Sequence, residues 1–291
     1  MTLFPFSSSR LAFGFAAVAL AASGCTQNPP GPTITATAAV VPEAVNATAM
    51  PYSSYRTLAW SDEFEGASLN TQKWAPEIKD VWYNNELQAT TDARSNLAVT
   101  NGKLAITAQP EAYHGRSYTS ARINTKGLHD FTFGRVDVRA KLPRGKGLWP
   151  AIWMLGSNDS QVSWPACGEI DIMELRGSTP QVNISTLHYG ANANTHQFSS
   201  MAYSLPGTPD LSADYHVYSV IRSQDKTQFY VDSVKYYERT VAQVSPYPFN
   251  NPFYLILNVA VGGDFDGNPD GSTSFPQQML VDYVRYYKYK E

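Results

Sequence analysis

Two cysteines, Cys25 and Cys167, are all that 291 residues contain, so at most one disulfide can form and the fold must be held by its own core. Long apolar runs are missing as well. A membrane-spanning helix needs roughly 20 consecutive apolar residues, and the nearest approach is the short run Leu11 to Ala22. It follows Arg10 and ends at the small residues Ser23, Gly24 and Cys25, which reads as an export signal over residues 1–25. Charge of one sign is scarce too: 22 Lys+Arg stand against 25 Asp+Glu, a net −3 that is too small to draw the chain to nucleic acid or another polyanion. No long amphipathic helix can be traced anywhere, which argues against a helical bundle.

Ala22-Ser23-Gly24-Cys25 resembles a bacterial lipobox, with Ala22 where Leu is common. That resemblance implies lipid on Cys25 and a cell-envelope lipoprotein, in the outer membrane if the host has one; plain secretion is the alternative. A lipid on Cys25 is the sole membrane contact expected, and it would leave Cys167 unpaired. Residues 26–55 are rich in Pro, Ala and Thr, carry one charge, Glu43, and show no period, as expected of a flexible tether.

From residue 56 to 291 the texture becomes short β-branched and aromatic runs broken by Gly, Pro, Asn and Asp, which predicts an all-β domain. Lys103 to Ala108, Arg135 to Lys141 and Tyr215 to Ile221 read as strands. Gln228 to Tyr237 reads as two strands joined at Asp232 and Ser233. The expected architecture is two large antiparallel sheets packed face to face, one of them bent to leave a concave face open to ligand. Eighteen Tyr and six Trp suit a surface that stacks on sugar rings, although an aromatic-rich core accounts for the composition equally well.

The most informative stretch is Gly168 to Leu175, GEIDIMEL. In a regular strand, residues two apart share a face. Glu169 and Asp171 then point one way, Ile170 and Ile172 fill the core, and Glu174 points wrongly inward, where an unpaired carboxylate costs several kcal/mol. One extra residue, a β-bulge near Met173, restores the phase and brings all three acids to one face. Crowded carboxyls repel, so at least one holds its proton well above the usual glutamate range. An acid beside an ionised partner is what glycoside hydrolysis requires. A metal site or a solvated acidic edge is the competing reading of the same three residues.

The chain resembles glycoside hydrolase family 16, specifically its bacterial laminarinase-like endo-β-1,3-glucanases. The segments that carry the likeness include LAWSDEFEG (58–66), WYNNELQ (82–88), YTSARINTKG (118–127), GLWPAIWMLG (147–156), WPACGEIDIMEL (164–175), TLHYG (186–190) and PFYLILNVAVGG (252–263). The resemblance implies a concanavalin A-like β-jelly-roll sandwich with a concave substrate cleft. It implies Glu169 as nucleophile, Glu174 as general acid/base and Asp171 as the acid between them that orients the nucleophile. The six-residue acid motif belongs to the bulged, β-1,3-cleaving members rather than the lichenases.

Around the acids, Trp149 and Trp153 lie four apart on a strand-like stretch and share a face, and with Trp164, Arg122, His188 and Asn84 they are expected to bind substrate. Core packing of the tryptophans, an ion pair at Arg122 and a turn role for the asparagines are the plain alternatives. The loop from Asp264 to Gly271 imitates an EF-hand but has Gln277 where the bidentate Glu belongs and contains Pro269; it is expected at the cleft rim. The resemblance places a structural Ca2+ at the carbonyls of Glu63 and Gly102 and the side chain of Asp282. No cofactor is expected for catalysis, and a monomer is expected. Two departures from the family pattern stand out, Arg222 in place of a usual Trp and Ser233 in place of a turn Gly. The expected activity is retaining, endo-acting hydrolysis of β-1,3-glucan, with mixed-linkage glucan, agar-type galactan or non-catalytic glucan binding as alternatives.

Overall fold

A computed structural model describes residues 48–208 and 210–289. A 3-10 turn at Tyr52–Ser54 leads into β1 (Tyr55–Asp62), β2 (Ala75–Pro76), β3 (Gln88–Thr90), β4 (Leu97–Thr100), β5 (Lys103–Tyr113), β6 (Arg116–Ser120), β7 (Arg122–Asn124) and β8 (Gly134–Lys141). The chain continues through β9 (Leu148–Gly156), β10 (Glu169–Leu175), β11 (Asn183–Tyr189), β12 (Gln197–Tyr203), β13 (His216–Ser223), β14 (Lys226–Val231), β15 (Val234–Thr240), β16 (Phe253–Val261) and β17 (Gln277–Tyr289).

These strands form two sheets. One has ten strands, running β15-β14-β13-β8-β17-β5-β6-β3, with β1 on β17 and β4 on β5; the other has seven, in the order β12-β11-β10-β9-β16-β7-β2. Pairing is antiparallel except between β3 and β6. The four strand segments expected from sequence lie in β5, β8, β13 and the β14–β15 hairpin. Asp232 and Ser233 both take positive φ there, 48° and 68°, as a two-residue hairpin turn requires.

Alternation fills the space between the sheets. From the seven-stranded sheet come Ile152, Met154, Ile170, Leu255 and Leu257, and from the ten-stranded sheet Leu104, Ile106, Val136, Val138, Val281 and Val284, all in one buried cluster. Each such side chain contributes about 1.5–3 kcal/mol when withdrawn from water, so no disulfide is needed. Cys167 is free and buried, and burial pushes its thiol up to about 11, which makes it a small hydrophobe rather than a nucleophile.

Residues 52–55 differ from the expected tether. Tyr52 donates to Asp137 Oδ1 at 3.3 Å and covers the Arg135 guanidinium at 4.0 Å, while Tyr55 is buried at the start of β1. Two tyrosines give this short segment enough ring surface to dock on the outer face of the ten-stranded sheet. The expectations for residues 1–25 and for residues 26–47 lie outside the described residues.

Burial also accounts for Arg222. Its guanidinium donates to the carbonyls of Phe131, Thr132, Phe249 and Asn251 and lies 4.6 Å from the Phe253 ring, with no carboxylate paired to it among the described residues. Desolvation lowers its pKa to about 10, so it remains a cation at neutral pH. The side chain ties two loop segments, one with Phe131 and Thr132 and the other with Phe249 and Asn251, to the end of β13.

Candidate active site

On the β9 side of β10, Asp171 faces Trp153 and Met173 faces Ile152; on the β11 side, Asp171 faces Thr186 and Glu174 faces Ile184. One residue is extra between Asp171 and Glu174, and this is the bulge that the acid spacing demands. Ile172 and Met173 both turn into the core. Burying the additional apolar side chain gains about 1.5–3 kcal/mol, more than the roughly 0.5–1.5 kcal/mol of an interrupted ladder hydrogen bond. The bulge is therefore stable, and its consequence is chemical: Glu169, Asp171 and Glu174 all face the cleft.

Two indoles hold the outer acids. Trp164 Nε1 donates to Glu169 Oε2 at 2.9 Å, and Trp149 Nε1 donates to Glu174 Oε1 at 2.9 Å. Burial, followed by the charge of Asp171, pushes the Glu169 carboxyl up to about 8. Burial also raises Asp171, and it raises Glu174 well above the ordinary range with the charges of Asp171 and Glu169 adding to the effect. The cluster cannot ionise fully at neutral pH. A carboxyl oxygen of Asp171 lies within 4.8 Å of one of Glu169, and the Asp171 charge disfavours ionisation of Glu169 beside it. The Glu169 side chain is 19% exposed against 4% for Asp171, so it is the more open of the two to a reacting group, and His188, the Trp164 indole and Arg122 favour its charged form.

His188 stands across the strand pair from Glu169. Its Nε2 lies 3.3 Å from Asp171 Oδ2 and 3.9 Å from Glu169 Oε1, and its Nδ1 lies 2.8 Å from His196 Nε2. Donor atoms of Glu169, Asp171 and His188 fall within 4.8 Å of one another, so the competing metal reading, expected of Glu169, Asp171 and Glu174, meets only two of those acids together with His188. The two tryptophan donors are spent on the flanking carboxyls, an arrangement that suits proton chemistry.

Trp149 and Trp153 share the cleft face, as their spacing predicts, yet they do different things. Trp149 stacks on Phe265 at 4.6 Å, which seats the Asp264–Gly271 loop on the cleft rim. Trp153 donates to Asn258 Oδ1 at 2.7 Å and covers one side of the Arg122 guanidinium at 4.7 Å, with Trp82 on its other side at 4.5 Å. Arg122 also pairs with Glu77 at 3.1 Å. The expected salt bridge and the expected place in the cleft are both present.

Asn84 lines a cavity of about 690 Å³ with Trp82, Glu86, Arg116, Asp264 and Asn268. Both asparagines take positive φ, but Asn85 spends its amide on Asp264 whereas Asn84 offers its carbonyl to the Asp264 amide. The Glu86 carboxyl is raised by burial and accepts from Gln88. The carboxylate of Asp266 accepts from Gly147, Ser178 N and Ser178 Oγ, and Asp270 binds Ser272 and Lys146, so the rim loop uses its acids on itself and its neighbours.

Glu63, Gly102 and Asp282 gather around β17, in the sheet opposite the acids. Asp282 is paired with Arg139 at 2.7 Å and with Lys103, the neighbour of Gly102, at 3.4 Å; Glu63 is paired with Arg285 at 2.8 Å. These donors fit a calcium ion only after Lys103 and Arg139 have moved off Asp282.

Sequence reading missed Trp82, His196, Phe198, Asn258 and Phe265. His196 and Phe198 follow the TLHYG segment at hairpin distance, and Phe198 faces His188 in register. That reversal was the available signal.

The model of the glycosyl hydrolases family 16 matches residues 79–285. Glucan endo-1,3-beta-glucosidase A1 of Niallia circulans is 42% identical over 258 residues, covering 79% of this chain; the chain spans 38% of that relative's length. Beta-glucanase of Rhodothermus marinus is 41% identical over 247 residues, covering 80% of this chain and 86% of the relative. The crystal structure of the laminarinase catalytic domain from Thermotoga maritima superposes with a TM-score of 0.76 at 40% identity, covering 81% of this chain and 99% of that one.

Proposed function

The chain belongs to the glycosyl hydrolases family 16, and from that membership and its site we propose that it is a retaining endo-β-1,3-glucanase acting on laminarin-type glucan. The observation that carries the reading is the bulge at Ile172–Met173, which turns Glu169, Asp171 and Glu174 onto the cleft face beside Trp149 and Trp164. Glu169, ionised and held by the Trp164 indole, attacks the anomeric carbon. Glu174, kept protonated by burial and by its acidic neighbours, protonates the departing glycosidic oxygen. Water then attacks the glycosyl–Glu169 ester while Glu174 takes its proton, and the two inversions give net retention. Asp171, beside Glu169 on the same face, tunes and orients it; His188, with Nε2 at 3.3 Å from Asp171 Oδ2, positions Asp171.

Arg122, Trp153, Asn84 and Glu86 offer stacking faces and hydrogen-bonding groups for sugar rings on the β7 side. A mixed-linkage glucan or an agar-type galactan is the rival substrate, and glucan binding without cleavage is the rival class. Initial rates on laminarin, lichenan and agarose test the reading, with laminarin expected to be fastest. Laminarin left intact while agarose is degraded would reject it. Calcium at Glu63, Gly102 and Asp282 is a separate proposal that rests on resemblance; a melting curve unchanged by chelator and by excess calcium would reject it.

A further inference from the structure

Phe198 exposes 64% of its surface, although it is a large apolar ring. It sits on β12, the edge strand of the cleft sheet, and faces His188, which in turn faces Glu169. These three residues form one rung across three strands. With strands about 4.7–4.9 Å apart, Phe198 lies roughly 10 Å from the Glu169 backbone, one to two sugar rings away.

The rung is not an isolated exposed ring. Trp164, itself 39% exposed, lies 4.6 Å from His196; His196 stacks on His188 at 5.0 Å and 22°; Phe198 lies 6.2 Å from His196 at 29° and 6.1 Å from His188. A continuous aromatic shelf therefore runs from the nucleophile to the sheet edge. Its chemistry differs from that of the opposite flank. There, Arg122, Glu77, Glu86 and Asn258 supply charge and hydrogen bonds; on β12 the residues that share the cleft face with Phe198 are Ser200 and Ala202, and neither is charged.

We propose that Phe198, with His196 beside it, forms a stacking subsite on the β12 side of the cleft that takes one neutral hexopyranose of the chain beyond the cleavage point. The proposal rests on the glycan-hydrolase reading and adds to it a specific site and a ligand class. A pyranose presents axial C–H bonds to a ring face, and burying that face gains the hydrophobic contribution without any demand for a fixed hydroxyl pattern. A sulfate or uronate charge finds no Lys or Arg stacked on Phe198 among the described residues. The β12 side thus reads ring shape, whereas the Arg122 side reads hydroxyl positions.

The test compares wild type, Phe198→Ala and Phe198→Trp on a ladder of β-1,3-gluco-oligosaccharides and on laminarin, with melting temperatures recorded for each. Phe198→Ala is expected to lower kcat/KM on long chains by about 3- to 10-fold, mostly through KM, as loss of one stacking contact implies. It should affect the shortest cleaved oligosaccharide far less, and Phe198→Trp should restore the long-chain value. A wild type that cleaves no β-1,3-glucan sinks the substrate reading instead, and the same ladder is then run on the glycan it does cleave. Equal loss at every chain length, or no loss at any, overturns the shelf.

Discussion

His188 and His196 face each other through ring nitrogens, Nδ1 to Nε2, at 2.8 Å. One must donate and the other accept, so the two rings cannot both be doubly protonated. Burial and the neighbouring His188 lower the pKa of His196, so His196 is the ring that favours the neutral form, in which its Nε2 is able to accept from His188 Nδ1. His188 is then fixed with its Nε2 turned to Asp171.

It follows that His196→Ala should lower kcat by about 10-fold by loosening this alignment, while His196→Gln, which can still accept, should recover much of it. A pH–rate profile checks the assignment. If the alanine variant shows the wild-type profile and kcat, His196 does not position His188.

The carboxyl cluster makes stability depend on pH. Glu169 has a folded pKa of about 8 against an ordinary value of 4.5, so the folded protein binds the extra proton. Stability should therefore fall as pH rises from about 4.5 to 8 and change little from this group beyond that range. Glu169→Gln removes the cost of ionising in place and should raise Tm at pH 8 by several °C, about 2–4 °C per kcal/mol in a domain of this size. The gain should shrink at pH 5. An equal gain at both pH values would show that charge is not its source.

The two glutamates should fail differently. Glu169→Ala should abolish hydrolysis of laminarin and retain turnover of an α-glycosyl fluoride. Glu174→Ala should keep activity toward substrates with good leaving groups, with azide giving a β-glycosyl azide. Proton NMR of early wild-type products should show the β anomer first, and an α anomer first would require Glu169 to be withdrawn as nucleophile.

Arg222→Leu should lower stability by about 3–5 kcal/mol, since it leaves the carbonyls of Phe131, Thr132, Phe249 and Asn251 without their donor. Denaturant unfolding measures the loss. A shift below about 1 kcal/mol would mean that water replaces the guanidinium.

Intact mass of membrane-extracted protein tests the lipid on Cys25. An N-terminus at another residue, with no acyl mass, would reject lipidation.

Much of this protein is local enough to be read from the chain. Period-two alternation, a scarcity of helical pattern and a turn at Asp232–Ser233 are properties of neighbours in sequence, so the all-β class and its strands were legible. The acids were legible for the same reason. A five-residue step from Glu169 to Glu174 conflicts with strand phase, and only a bulge resolves it. What the chain could not disclose is which strand lies beside which. The order β12-β11-β10-β9-β16-β7 brings His188, Phe198 and Glu169 onto one rung and sets Arg122 between Trp82 and Trp153. The separate duties of Trp149 and Trp153 were hidden too, because one meets Glu174 and Phe265 and the other meets Asn258 and Arg122. Side-chain type and spacing fix which face a residue occupies; the partners across that face are set by sheet order and loop docking, which only the assembled tertiary structure decides.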